Sequence, residues 1–165
     1  MAIQSRLVSI YPNAKYSFDT NVYITIWRDH YPPDRFKKLY NDLEDLINRG
    51  IILSTFPVNI ELKKQRDKIF DFFNRFQKLF IEPQKEEQRI VESLVNHPDL
   101  PNWGAGDSEK HYADPYIVAL AKVYNLKVVT YELGRSHNKI CRACEILNVE
   151  CWKFIDFLRE VDLIY

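Results

Sequence analysis

Four acidic residues recur at positions where a chain of alternating strands and helices would gather them: Asp19, Glu61, Asp114 and Glu132. The first lies in Phe18-Asp19-Thr20-Asn21, where the apolar run Lys15-Tyr16-Ser17-Phe18 stops at an acid, a small hydroxyl and an amide. Such a string reads as the carboxyl end of a strand entering a helix, the edge at which open parallel α/β sheets bind ligands. Glu61 falls in the helix after the second expected strand. Asp114 opens the run Asp114-Pro115-Tyr116-Ile117-Val118-Ala119-Leu120-Ala121, and Glu132 follows Val128-Val129-Thr130 after one intervening residue.

The chemistry that suits such a group is metal-ion hydrolysis. Two like charges about 4 Å apart repel by about 4 kcal/mol at an effective dielectric near 20. Three or four carboxylates in one pocket therefore need a cation, or some must take up protons. Hard oxygen donors select Mg²⁺ or Mn²⁺ over zinc. Such an ion binds a phosphodiester oxygen, polarises phosphorus and lowers the pKa of an attacking water. Asn21 and Thr130 are placed to fix a bound water or a phosphate. Each acid also has an ordinary alternative: Asp114 before Pro115 as a helix cap, Glu61 beside Lys63 and Lys64 on a solvated helix face, and Glu132 in a turn.

The elements that must position these residues follow from periodicity and punctuation. Val22 to Trp27 reads as a short helix, broken at Tyr31-Pro32-Pro33-Asp34. Phe36, Leu39, Leu43, Leu46 and Ile47 recur at helical spacing, with Gly50 closing that helix. Ile51 to Ser54 is a short buried strand, and Pro57 starts a helix running to Lys64. Asp67 to Phe80 is aromatic-rich, and its phenylalanines read as core before they read as a base-stacking platform. Gln84 to Asn96 is helical, with Ile90, Val91, Leu94 and Val95 on one face. His97 to Gly106 is a loop, and Asp107 just beyond it is a further candidate acid. Asp114 to Tyr124 is a helix with Pro115 in its first turn. Leu126 to Thr130 is a strand, Lys139 to Leu147 a helix, Glu150 to Trp152 a brief strand and Phe154 to Val161 a last amphipathic helix. The alternation predicts an α/β fold: a three-layer α/β/α sandwich around a central, mainly parallel sheet.

Composition narrows the classes. The chain has 165 residues, 46% hydrophobic, with only 4 glycines, which suits one globular domain over residues 1–165, of which 1–14 are an N-terminal arm. A chain of this size buries roughly 68–70% of its unfolded surface. The 23 basic and 23 acidic residues balance, so an anionic partner must be met by a local patch or a metal. No run approaches the ~20 apolar residues of a membrane span. The N-terminal residues lack a signal core, and three cysteines cannot all pair, so a reduced cytoplasmic setting is expected. His137, Cys141, Cys144 and Cys151 have the spacing of a possible zinc site, but the thiols read better as small buried hydrophobes. The run Lys63-Lys64-Gln65-Arg66-Asp67-Lys68 reads either as a solvated face or as a guide for a phosphate backbone. Serine or cysteine hydrolysis lacks a Gly-x-Ser-x-Gly and a histidine partner, and no glycine-rich phosphate loop is present.

Taken in order, Ser17-Phe18-Asp19-Thr20-Asn21, Glu61, Ala113-Asp114-Pro115-Tyr116-Ile117-Val118-Ala119-Leu120-Ala121 and Val128-Val129-Thr130-Tyr131-Glu132 resemble a PIN-domain nuclease, the fold of VapC-type toxins. The chain is most similar to an uncharacterised PIN-like subgroup of prokaryotic proteins, through Tyr31-Pro32-Pro33 after the first helix. The resemblance spans about residues 15 to 160. It implies Mg²⁺- or Mn²⁺-dependent cleavage of RNA, single-stranded or structured, and in toxin members a cognate antitoxin that blocks the site. By position, Asp19, Glu61, Asp114 and Glu132 become the metal-binding quartet, and Asn21 the polar helper. The fourth position is more often Asp, so Glu132 departs from the pattern. The segment Asp67 to Gly106 is long for a minimal toxin, which suggests a homodimer face or an antitoxin groove. The alternative is a catalytically degenerate PIN-like module that binds RNA or a protein.

Overall fold

The computed structural model describes residues 10–101, 103, 112–132 and 139–165. Five short strands make one sheet: β1 (Tyr16–Phe18), β2 (Ile52–Thr55), β3 (Phe80–Ile81), β4 (Lys127–Thr130) and β5 (Cys151–Lys153). Their order is β3-β2-β1-β4-β5, and every neighbouring pair is parallel. Around them, among the described residues, stand eight α-helices. These are α1 (Thr20–Thr25), α2 (Lys37–Asn48), α3 (Phe56–Lys63), α4 (Ile69–Asn74), α5 (Lys85–Val95), α6 (Asp114–Tyr124), α7 (Lys139–Leu147) and α8 (Phe154–Glu160). The architecture is the expected three-layer α/β/α sandwich, with a sheet that is wholly parallel.

The central strand shows how the layers are made. Successive side chains on a strand point to opposite faces. Tyr16 and Phe18 point one way, and their rings meet Phe157 of α8 edge-on at 4.9 and 5.0 Å. Phe18 also packs on Phe154 of α8 and Tyr23 of α1. Ser17 points the other way and donates a 3.0 Å hydrogen bond to the Ile117 carbonyl of α6. With both faces covered, β1 is buried at every position, as parallel strands require. Helix α6 carries buried side chains around most of its circumference, including Ile117, Val118, Leu120 and Ala121, the pattern of a helix enclosed by protein. Asn125 closes it in the left-handed region at φ 56°, a conformation asparagine tolerates.

The order of the strands decides where a site can form. From β1 the chain moves outward through β2 to β3, then returns to the other side of β1 for β4 and β5. The strand order therefore reverses between β1 and β4, and at such a switch point the connections diverge and leave a crevice beyond the strand ends. Phe18 is in register with Val129, so Asp19 and Thr130 leave the sheet side by side.

Several local expectations change. Helix α1 ends at Thr25 and continues as a π-helical turn, Ile26–His30; its widened ladder runs to the Tyr31 amide, which donates to the Ile26 carbonyl at 2.9 Å. Pro32 and Pro33 then exclude further helix. In the aromatic segment only Ile69–Asn74 is helical, and Phe80–Ile81 pairs with β2 as an edge strand that the sequence reading did not identify. Phe73, Phe76 and Leu79 are buried. Phe72 packs on Trp27, Tyr40 and Phe73 and lies under the Arg75 guanidinium. These rings serve the chain's own core, as the sequence suggested. Gly50 follows α2 at φ +71°, the left-handed position that glycine occupies without strain. No helix among the described residues is long and apolar enough to cross a membrane.

Candidate functional site

Asp19 caps the route from β1 into α1. Its own amide continues the ladder, donating to the Val129 carbonyl at 3.0 Å. Its side chain is 2% exposed and accepts a long 3.4 Å contact from the Asn21 amide through Oδ1. The other oxygen, Oδ2, accepts a 2.8 Å hydrogen bond from the Thr130 hydroxyl. A hydroxyl has one proton to give, and Thr130 commits it to Asp19. The Thr130 hydroxyl oxygen in turn accepts the Glu132 amide at 3.0 Å. Asn21 completes this corner: its Oδ1 accepts the Tyr131 amide at 3.0 Å, and its Nδ2 lies 3.4 Å from the Thr130 hydroxyl. Asn21 thus ties the first turn of α1 to the end of β4.

Glu61 is 9% exposed, so it is not on a solvated helix face. One carboxylate oxygen accepts the Ala113 amide at 3.0 Å, and the other accepts the Thr20 hydroxyl. The residue joins α3 to the residue preceding α6 and to the first residue of α1. Thr20 is a participant that the sequence reading passed over. Its signal was present in the hydroxyl between Asp19 and Asn21, but its partner lies 41 residues away and no local pattern names it.

Asp114 is the first residue of α6, and the capping position belongs to Ala113. A cap is therefore not what holds Asp114 in place. Trp103 is fully buried, and its indole favours the charged form of this carboxylate.

The charges of all four acids converge. Burial drives the Asp19 carboxyl up to about 7; the Thr130 and Asn21 hydrogen bonds pull it down, and Glu132 and Glu61 push it up. Burial raises Asp114 further, to about 9, reinforced by Asp19, Glu132 and Glu61. At neutral pH without a cation, Asp114 holds its proton. The structure brings Asp19, Glu61, Asp114 and Glu132 into one electrostatic group beyond the ends of β1 and β4.

The donor chemistry of this group, buried carboxylate oxygens that repel one another, fits Mg²⁺ or Mn²⁺. The arrangement is not a closed ligand shell: among the described residues, no three His, Cys, Asp or Glu side chains are disposed to hold a metal ion. Lys63 ends α3 and Lys64 follows it, both exposed. Asp107 and His137 lie outside the described residues. Cys144 is fully buried, as expected, whereas Cys141 and Cys151 are only half-buried.

Among curated proteins none matches this chain. A family does match it, over residues 16–165, nearly the whole fold. The chain belongs to the DUF4411 family, a domain of unknown function.

Proposed function

We propose that this protein is a PIN-like, divalent-metal-dependent endoribonuclease acting on single-stranded or structured RNA, and that it serves in the cytoplasm as the toxin of a toxin–antitoxin pair. The observation that carries the reading is the convergence of four acids at the switch point of a parallel sheet, with two of them held well above the ordinary carboxylate range. A structural role rarely needs mutually repelling carboxylates in a buried crevice.

In this reading Asp19, Asp114, Glu61 and Glu132 would hold Mg²⁺ or Mn²⁺. The ion, when bound, neutralises their charge, polarises the phosphodiester and makes a bound water more acidic. The chain's own residues do the rest. Thr130 and Asn21 fix the Asp19 carboxylate, and Glu61 ties α3 to the residue before α6, with Asp114 within the electrostatic reach of Asp19. Exposed Lys63 and Lys64 draw the phosphate backbone to an otherwise acidic edge. An antitoxin would act by covering that edge.

Controlled expression in a bacterial host tests the toxin assignment. The parent should arrest growth, and Asp114→Asn should release the arrest while keeping its far-UV spectrum. An equally toxic Asp114→Asn would refute it. A second reading, a binding module without turnover, is favoured by one feature: both oxygens of Glu61 already accept hydrogen bonds from the protein. In that case Mn²⁺ would not stabilise the fold.

A further inference from the structure

Three cysteines stand together where α7 meets β5 at the edge of the sheet, and the proposed metal-binding quartet does not include them. Cys141 lies in the first turn of α7, and Cys151 opens β5. Their sulfurs are 2.7 Å apart, well inside the contact distance of two unbonded sulfurs and short of the ~2.05 Å of a disulfide. Backbone bonds hold both ends of the intervening segment: Val149 donates to the Cys144 carbonyl at 2.8 Å, and Val128 to the Glu150 carbonyl at 2.9 Å. The two sulfurs are thus set by the fold, not by flexible chain.

Accessibility separates the three thiols. Cys144 is fully buried, and Cys141 and Cys151 are half-buried. Cys151 also lines an open surface depression with Trp152, Asp156, Arg159 and Glu160. Among the described residues β5 is an edge strand of the sheet.

We infer that Cys141 and Cys151 form a reversible dithiol–disulfide modification site, closed by hydrogen peroxide that enters at Cys151. The Cys151 sulfur attacks one peroxide oxygen, the O–O bond breaks, and water leaves a sulfenic acid behind. The Cys141 sulfur then attacks the Cys151 sulfur, the S–O bond breaks, and a second water leaves. Both thiol protons end in the waters; the peroxide is reduced, and the two sulfurs are oxidised to one disulfide. A thiol such as dithiothreitol reverses the change by exchange.

The hydrogen bond to Cys151, burial, and the charges of Glu132 and Glu145 hold the Cys141 thiol above its usual range. The hydrogen bond with Cys141 lowers the Cys151 thiol, but Cys144 and burial raise it more, so the pair rests as thiols and reacts slowly, because the thiolate is the nucleophile. A mildly alkaline buffer is the right condition for a test. The link would cross the chain between α7 and β5 and raise the melting temperature by constraining the unfolded state. The inference stands apart from the nuclease reading and does not depend on it.

The experiment uses the full chain, reduced and then treated with hydrogen peroxide. The expected result is a mass lower by two hydrogen atoms, a cross-linked peptide pair joining Cys141 to Cys151, loss of label at those two thiols only, a higher melting temperature, and full reversal by dithiothreitol. Cys141→Ser should lose the cross-link and leave a sulfenic acid on Cys151 that dimedone captures. A link between Cys141 and Cys144, cross-linked dimers, or oxygen added without any intramolecular link would overturn the inference. The peptide map of the parent chain decides even if the variant does not fold.

Discussion

The Thr130 hydroxyl donates a 2.8 Å hydrogen bond to Oδ2 of Asp19, joining the ends of two adjacent parallel strands among buried acids. The bond favours the charged form of Asp19 against burial and against its acidic neighbours. Thr130→Val keeps the shape and removes the donor. We expect it to cost about 1 kcal/mol of stability, measured by urea denaturation, and to raise the Asp19 pKa further. An unchanged midpoint and an unchanged titration would show that the bond is idle.

The acids predict an unusual pH dependence. Asp19 and Asp114 titrate near 7 and 9 in the folded protein, against an ordinary 3.8. The folded state therefore binds more protons than the unfolded chain between those values. Their contribution is fully present below about 4 and is lost as pH rises toward about 9. Without divalent metal, stability should fall across that window. Asp114→Asn should flatten the fall and make the variant more stable than the parent at the alkaline end. Urea melts across the window decide; a parent whose stability rises with pH would contradict the electrostatics.

Divalent metal should reverse that loss. At a hundredfold excess over its dissociation constant, Mn²⁺ should stabilise the parent by about 2.7 kcal/mol. At a fixed Mn²⁺ concentration the effect should be larger at alkaline pH, where the carboxyls are free of protons, and absent in Asp19→Asn and Asp114→Asn. Thermal melts with and without Mn²⁺ measure it. Equal stabilisation of all three proteins would place the ion elsewhere.

Glu61 can be split into two roles. Its oxygens accept the Ala113 amide and the Thr20 hydroxyl. Glu61→Ala leaves a buried amide without its acceptor and should cost about 1–3 kcal/mol. Glu61→Gln keeps one acceptor oxygen while removing the charge, so it should cost less and lower the Asp19 and Asp114 pKa values. If both variants lose the same stability, the tether is not what Glu61 supplies.

The central sheet was legible because its signals are local. Phe18-Asp19-Thr20-Asn21 announces a strand end, and Asp114-Pro115 followed by an apolar run announces a helix. The α/β alternation then fixes the layers. The acids could be placed at one edge by the same logic, since parallel strands end together. What escaped depends on distant partners. Phe80–Ile81 is a strand only because β2 offers a free edge; two residues carry no periodicity of their own. The π-helical turn at Ile26–His30 answers to packing around Trp27 and to Pro32 downstream, not to a motif. Thr20 and Trp103 matter through Glu61 and Asp114, across gaps that sequence spacing does not encode. The half-buried state of Cys141 and Cys151 follows from β5 lying at the sheet edge, a fact of strand order.

The most direct measurement of the central claim is cleavage of a mixed single-stranded RNA pool by the purified protein, with Mn²⁺ and with EDTA, beside Asp19→Asn. The account predicts cutting by the parent in Mn²⁺, none in EDTA and none by the variant. Cutting that survives EDTA or Asp19→Asn, or a parent that neither cuts RNA nor gains stability from Mn²⁺, would contradict it.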